Sequence, residues 1–266
     1  MGASIVIENR PGAGAVIGIS AVAKSAPDGY TLLLSGSTLA VAPTHYKKAP
    51  FDANKDFAPV ALVAHDPFLL VATASLPAKT VPELLKLAKE KPGEIMYASP
   101  GAATSQHLFT ELLKVKTGIE LRHIPYNGTA PAVVDIVAGR VSLMFAAAAP
   151  TIPLLKDGSL RALAVSSAAR LAELPDVPPI ADAVPGFDES NWSIILAPAG
   201  TPRDIVNKLH GELKAVMAMP EVEKQLANIG MIPIVSPSPE ELATFISTEV
   251  SRWGKIVEQA GIAGTH

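Results

Sequence analysis

The sequence has no cysteine among its 266 residues, which excludes disulfides, thiolate metal ligands and a cysteine nucleophile. That absence fits an oxidising compartment. Aromatic side chains make up only 5% of the chain, too few for an aromatic stacking platform. Lys and Arg number 22 against 25 Asp and Glu, for a net charge of −3. With no long basic run, nothing favours a nucleic-acid partner. No apolar stretch reaches the roughly 18 residues that a membrane-spanning helix needs. The opening "MGAS" has neither the basic nor the apolar region of a secretory leader.

What the chain does contain is apolar. It is 48% hydrophobic and 18% charged, with a mean hydropathy of +0.31, enough to bury a substantial core. Its 24 prolines sit mostly at the ends of short elements. Strand-like and helix-like segments alternate. "TVPELLKLAKEKPG" predicts an amphipathic helix with Thr80 as N-cap, Pro82 and Glu83 in its first turn and Gly93 past its end. "AATSQHLFTELLKVKTG" predicts another, closed by Gly118. "MYAS", "RHIP" and "SLMFA" read as strands between such helices. This alternation points to an α/β fold with mostly parallel sheets. Two long apolar strand segments, near 60–72 and 191–197, flank a complete α/β set. We therefore expect two lobes: 1–68 plus 193–266 as lobe one, and 69–192 as lobe two. The chain crosses twice, near Asp66 and near Trp192, and a cleft opens between the lobes, outside the carboxyl ends of the strands.

The stretch "SIVIENRPGAGAVIG" poses the sharpest local question. Ile5, Val6 and Ile7 read as a strand running into Gly12, Gly14 and Gly18. The third glycine comes one residue too late for a dinucleotide fingerprint, and Ala15-Val16-Ile17 stands where a P-loop needs its Lys and Ser/Thr. The glycines read as a tight turn, and no cofactor is expected.

Three strand-to-helix junctions repeat one chemistry: Ser35–Thr38, Ser99–Ser105 and Tyr126–Thr129. Each offers hydroxyls, small residues and the free N–H groups of a helix start, without Lys, Arg, Asp or Glu. Ordinary N-capping explains any one of them. Three in one cleft point to a pocket for a small carboxylate, held by dipoles and neutral donors. The candidate ligand-binding residues are Ser37, Thr38, Ser99, Gly101, Ala102, Thr104, Ser105, Tyr126, Asn127, Gly128 and Thr129. Catalytic alternatives are weaker. Ser105 and His107 point differently on a helix, Ser99 has no evident partner, and no G-x-S-x-G occurs. The six histidines show no metal-ligand spacing, so no metal is expected. Asp66 reads as a turn former before Pro67, and Trp192 and Trp253 as core or hinge packing.

In order along the chain, "VIENRPGAGAVIG", "APDGYTLLL", "DFAPVALV", "YASPGAATSQHL", "HIPYNGTAPAVVDIVAGRVSLMF", "LRALAVSSAARLAELPDVPPIAD" and "WSIILAPAGTP" resemble the Bug family. Its members are extracytoplasmic solute-binding receptors of tripartite tricarboxylate transporters. The resemblance covers essentially the whole chain. It implies a two-lobe, Venus-flytrap periplasmic-binding-protein fold, capture of a small organic acid in the cleft, delivery to membrane subunits of the transporter, and a periplasmic location. It also implies that the junctions at Ser99–Ser105 and Tyr126–Thr129 contribute to carboxylate binding, and that the protein is not an enzyme. The competing reading is a hydrolase or acyl-transfer enzyme using a cleft serine, Ser99 or Ser105. Ala15 stands where the family usually has a further glycine, and Ala146 where an acidic residue is common. The family also carries a strand, loop and helix ahead of the stretch matching "VIENRP". Met1 is therefore expected to be an internal methionine, lobe one to be less stable than lobe two, and carboxylate binding by the chain as given to be weak.

Overall fold

The computed structural model describes residues 4–265; Met1 and His266 lie outside them. Two sheets divide the strands. The first contains β1 (Leu33–Ser35), β2 (Phe57–Asp66), β8 (Asn191–Pro198) and β9 (Ile232–Pro233), in the order β1-β8-β2-β9. The second contains β3 (Phe68–Thr73), β4 (Met96–Ser99), β5 (Arg122–Pro125), β6 (Leu143–Ala147) and β7 (Leu160–Val165), in the order β5-β4-β6-β3-β7. The chain steps between sheets at Pro67, between Asp66 and Phe68, and is back in the first sheet at Asn191. This is the two-lobe periplasmic-binding-protein fold.

The expectation of mostly parallel sheets is corrected. Every pairing in the first sheet is antiparallel, and so are β3–β6 and β3–β7. Among the named strands, β4–β5 and β4–β6 run parallel. The reason lies in the crossing. β2 carries the chain out of lobe one and β8 brings it back, so the two must run in opposite directions when they pair. Parallel pairs survive where helices carry the chain back to the same end of the sheet: α4 (Ser105–Thr117) between β4 and β5, and α5 (Thr129–Val137) between β5 and β6.

The strand expected at Ser4–Glu8 is also absent. Ile5, Val6 and Ile7 are 81%, 90% and 85% exposed, and no sheet partner lies beside them among the described residues. β-Branched residues favour an extended backbone, but a strand exists only against a ladder.

The expected helices form. α1 (Val16–Ala23) and α2 (Thr38–His45) belong to lobe one, and α3 (Val81–Glu90) and α6 (Ala148–Lys156) to lobe two with α4 and α5. The Thr80 side chain accepts from the Glu83 N–H at the start of α3, and Gly118 ends α4 in the left-handed conformation. After β8 come α7 (Arg203–Met217), α8 (Pro220–Asn228) and the 21-residue α9 (Pro239–Gln259). Ser238 opens α9 with a full capping box.

α9 ties the lobes together. Its Trp253 stacks on Phe109 of α4 at 6.0 Å between ring centroids, and one cluster of buried apolar side chains runs from Leu39 through Phe68 and Phe109 to Trp253. The indole N–H groups of Trp192 and Trp253 both donate to one carboxylate oxygen of Glu249, at 3.0 and 3.1 Å. Arg252 donates to the other oxygen of Glu249 and pairs through both terminal nitrogens with Glu189. Burial nevertheless pushes the Glu189 carboxyl up to about 7, against the pull of Arg252.

A buried acceptor serving two buried indoles is costly to remove, because both donors stay behind in an apolar core. Glu249→Ala is expected to destabilise the chain by about 3 kcal/mol, and Glu249→Gln, which keeps one acceptor, by about half as much. Chemical denaturation followed by tryptophan fluorescence measures both; equal losses would refute the acceptor argument.

Candidate functional site

The three junctions meet. The first junction ends β1 and starts α2, the second joins β4 to α4, and the third joins β5 to α5. Ser37 Oγ lies 2.6 Å from Ser105 Oγ, across the lobes. The Thr38 hydroxyl donates to the carbonyl of Ala103 at 3.3 Å, also across the lobes. The Tyr126 N–H donates to the carbonyl of Ser99, and the Gly128 N–H to that of Pro100, which binds the third junction to the second.

Ordinary capping does not account for the hydroxyls. Of the helices whose N-cap residue bears one, α3 and α9 are capped by Thr80 and Ser238. At α2 and α4, Ser37 and Thr104 make no side-chain cap bond. The Thr104 hydroxyl donates instead to the Gly101 carbonyl at 2.7 Å. The Ser37 hydroxyl turns to Ser105 and to Asn191.

Asn191 is the residue the sequence reading missed. Its Oδ1 accepts from Ser37 N–H at 3.2 Å, and lies 3.1 Å from Ser37 Oγ and 2.7 Å from Ser105 Oγ. Its Nδ2 donates to Asp66 Oδ2 at 3.2 Å, and Ser193 donates to the same oxygen at 3.0 Å. Asp66 therefore closes β2 with its carboxylate committed across the hinge, not to a turn. Burial raises its pKa, opposed by the Ser193 and Asn191 hydrogen bonds. No local motif announces this group, since Asp66 and Asn191 lie 125 residues apart.

Other expected residues take different roles. Ser99 is fully buried, and its hydroxyl lies 2.7 Å from His123 Nε2, so it does have a partner. It also donates to the Gly101 carbonyl and accepts the Gly101 N–H. His123, His107 and Tyr97 form a stacked column under this loop, with 4.1 Å between the two imidazole centroids. His107 Nδ1 accepts the Ala103 N–H at 3.2 Å, which puts the proton of a neutral ring on Nε2. The Tyr97 hydroxyl donates to Glu111, and burial raises its pKa far beyond the usual phenol range. Desolvation, then the accepting Asp135 carboxylate at 2.7 Å, pushes the Tyr126 phenol up to about 12. Its proton is thus committed to Asp135, and only its backbone serves the junction. Asn127 and Thr129 are exposed. No three His, Asp or Glu side chains group closely enough to hold a metal among the described residues.

The glycine loop is not a turn after a strand. It packs against the second junction: a Cβ on Gly14 would lie 2.2 Å from the carbonyl oxygen of Ala102. Ala13 and Ala15 both take positive φ, 46° and 79°, a conformation that costs an alanine roughly 1 kcal/mol or more. The Tyr46 hydroxyl holds the loop by donating to the Ala13 carbonyl at 2.9 Å.

The family described as "Tripartite tricarboxylate transporter family receptor" matches residues 1–262. A Rhodopseudomonas palustris protein, Rpa4515, solved with adipate, is 36% identical with a TM-score of 0.90; the match covers 98% of this chain and 87% of that one. The periplasmic binding protein BugD is 32% identical, TM-score 0.89, with 97% and 87% covered. MatC from Rhodopseudomonas palustris, with bound malate, is 30% identical, TM-score 0.82, with 92% and 85% covered.

The lobe contact at Gly14 leaves no room for a side chain. Gly14→Ala is expected to hold the lobes apart, raising the radius of gyration in small-angle X-ray scattering while leaving the circular dichroism spectrum unchanged. An unaltered scattering profile would show that the loop does not govern closure.

Proposed function

The chain belongs to the tripartite tricarboxylate transporter receptor family, and from that membership together with the junction geometry we propose that it is a solute-binding receptor. It captures a small mono- or dicarboxylate between a lobe built from 1–68 with 193–266 and a lobe built from 69–192. It then hands the ligand to membrane subunits of a transporter, from a periplasmic location. No helix among the described residues is long and apolar enough to cross a membrane.

The observation that carries this reading is the uncapped pair of helix starts. α2 and α4 face each other across the lobes, and neither N-cap hydroxyl is spent on its own helix. Such ends carry partial positive charge and attract a carboxylate without a cationic side chain, although in α2 the Leu39 and Ala40 N–H groups are already taken by the Gly36 and Ser37 carbonyls and the Ser37 N–H by Asn191. The binding residues are Ser37, Thr38, Thr104 and Ser105, with the backbone of Ala102; Gly101, Tyr126 and Gly128 shape the junctions, since their N–H groups go to Ser99 and Pro100. Asn127 and Thr129 lie on the exposed rim of the third junction, and Ser99 supports the second from below. The bound adipate and malate of the related structures agree in chemical class.

A second reading draws on the Ser99–His123 contact, the pairing that activates a nucleophile in acyl transfer. Ser99 is inaccessible, however, and its hydroxyl is shared with the Gly101 backbone, so it is placed to shape the loop rather than to attack.

The receptor reading is tested by calorimetry and thermal shift against a panel of organic acids. A true ligand at a hundredfold over its dissociation constant stabilises the fold by about 2.7 kcal/mol. No shift with any acid would sink it. Ester or amide turnover abolished by Ser99→Ala would install the second reading in its place.

A further inference from the structure

The proton count of the Ser37–Ser105–Asn191 cluster has a consequence for binding. An ionised Asp66 can only accept, so it fixes the Asn191 amide with Nδ2 toward itself and Oδ1 toward the serines. Oδ1 has two lone pairs. Ser37 N–H takes one, and Ser105, the nearest hydroxyl at 2.7 Å, takes the other. The Ser37 hydroxyl then donates to Ser105 Oγ at 2.6 Å. Both hydroxyl protons and the Ser37 N–H are thus used internally, and the serine oxygens offer a ligand only lone pairs. In this state the clasp repels a carboxylate oxygen.

We propose that Asp66 is a positioning residue whose protonation reverses the Asn191 amide and turns the clasp from acceptor to donor, so that capture of a carboxylate takes up one proton. This rests on the receptor reading above. The proton comes from solvent and sits on Asp66 Oδ2, where it donates to the reversed amide oxygen. Asn191 Nδ2 then donates to the serines. The two hydroxyl protons are released toward the incoming carboxylate, while the Ser37 N–H, fixed in the backbone and aimed at the amide, gives up its Oδ1 acceptor.

The surroundings suit such a switch. Asp66 Oδ1 is buried and has no hydrogen-bond partner, so the carboxylate is held with half its accepting capacity unmet. Burial already raises its pKa. The titratable group in its field is His65, its neighbour on β2. β8 faces it with Asn191 and Ser193, and β9 pairs beside it through Ile232 and Pro233, none of which bears charge. Beyond Asn191 stand only the uncharged Ser37 and Ser105.

The test uses adipate and malate as probes, titrated calorimetrically from pH 5 to 8 in buffers of different ionisation heat. The wild-type chain is expected to take up close to one proton per ligand, and its affinity to fall by up to about tenfold per pH unit above the Asp66 titration. Asp66→Asn keeps both a donor and an acceptor at every pH, so its binding is expected to be flat with pH and without proton uptake. Wild-type binding that ignores pH, or a pH dependence that persists in Asp66→Asn, overturns the switch and leaves the receptor reading standing. If neither acid binds at any pH, the receptor reading is what weakens. The switch is then decided by NMR on the unliganded wild-type chain. An Asn191 side-chain amide that shifts with the Asp66 carboxyl titration supports it; one that does not move overturns it.

Discussion

The register of β2 against β8 is the constraint on which the rest of the molecule depends. Asp66 pairs with Asn191 at the end of that ladder, where the chain leaves one lobe and re-enters it. A one-residue slip would put the two side chains on opposite faces of the sheet. The pairing is fixed by what lies along it. Val60, Ala61, Leu62, Ile194, Leu196 and Ala197 are buried, and two irregularities, between Pro59 and Ala61 and between Leu62 and Ala64, absorb the mismatch of the strands. Those few ladder positions hold Asn191 within reach of both lobes' helix starts. The hinge is therefore not only the connection between the lobes but the floor of the place where they meet.

The same geometry explains why the lobes share a core. α9 packs on α2 and β2 of lobe one, while its Trp253 reaches Phe109 of lobe two. A single carboxylate, Glu249, accepts from one tryptophan on β8 and one on α9. Any motion of one lobe against the other has to pass through this packed and hydrogen-bonded pivot. Interfaces of that kind have discrete arrangements rather than a continuum.

Much of this was legible in the sequence, and the part that was not has a common cause. Thr80 and Gly118 mark helix ends through interactions a few residues long, and those ends fell where the local pattern put them. The three junctions were found because hydroxyls and glycines at strand ends are also a local signal. Strand direction was misjudged because it depends on which lobe each strand serves. Ile5–Ile7 misled because β-branching reports conformation and not the presence of a neighbour. Ala15 shows the converse. The family resemblance implied a glycine at this position, and the structure supplies the reason, a positive φ of 79°. Asn191, Asp66 and Ser193 carried no signal at all, because their meaning lies in contacts more than a hundred residues away.

A cleft that opens and closes around an anion faces an electrostatic choice. A lysine or arginine at its floor would bind a carboxylate strongly, but closing without ligand would bury an unpaired charge at a cost of several kcal/mol. Neutral hydroxyls and helix ends avoid that penalty, since they can satisfy one another when the ligand is gone. The Ser37–Ser105 contact is that self-satisfied state, and Asn191 completes it. Asp66 sits behind the amide rather than at the surface it presents, so it acts on the cleft through the orientation of Asn191. Specificity in such a site follows from the direction in which hydrogen bonds point, and that direction is set from the hinge.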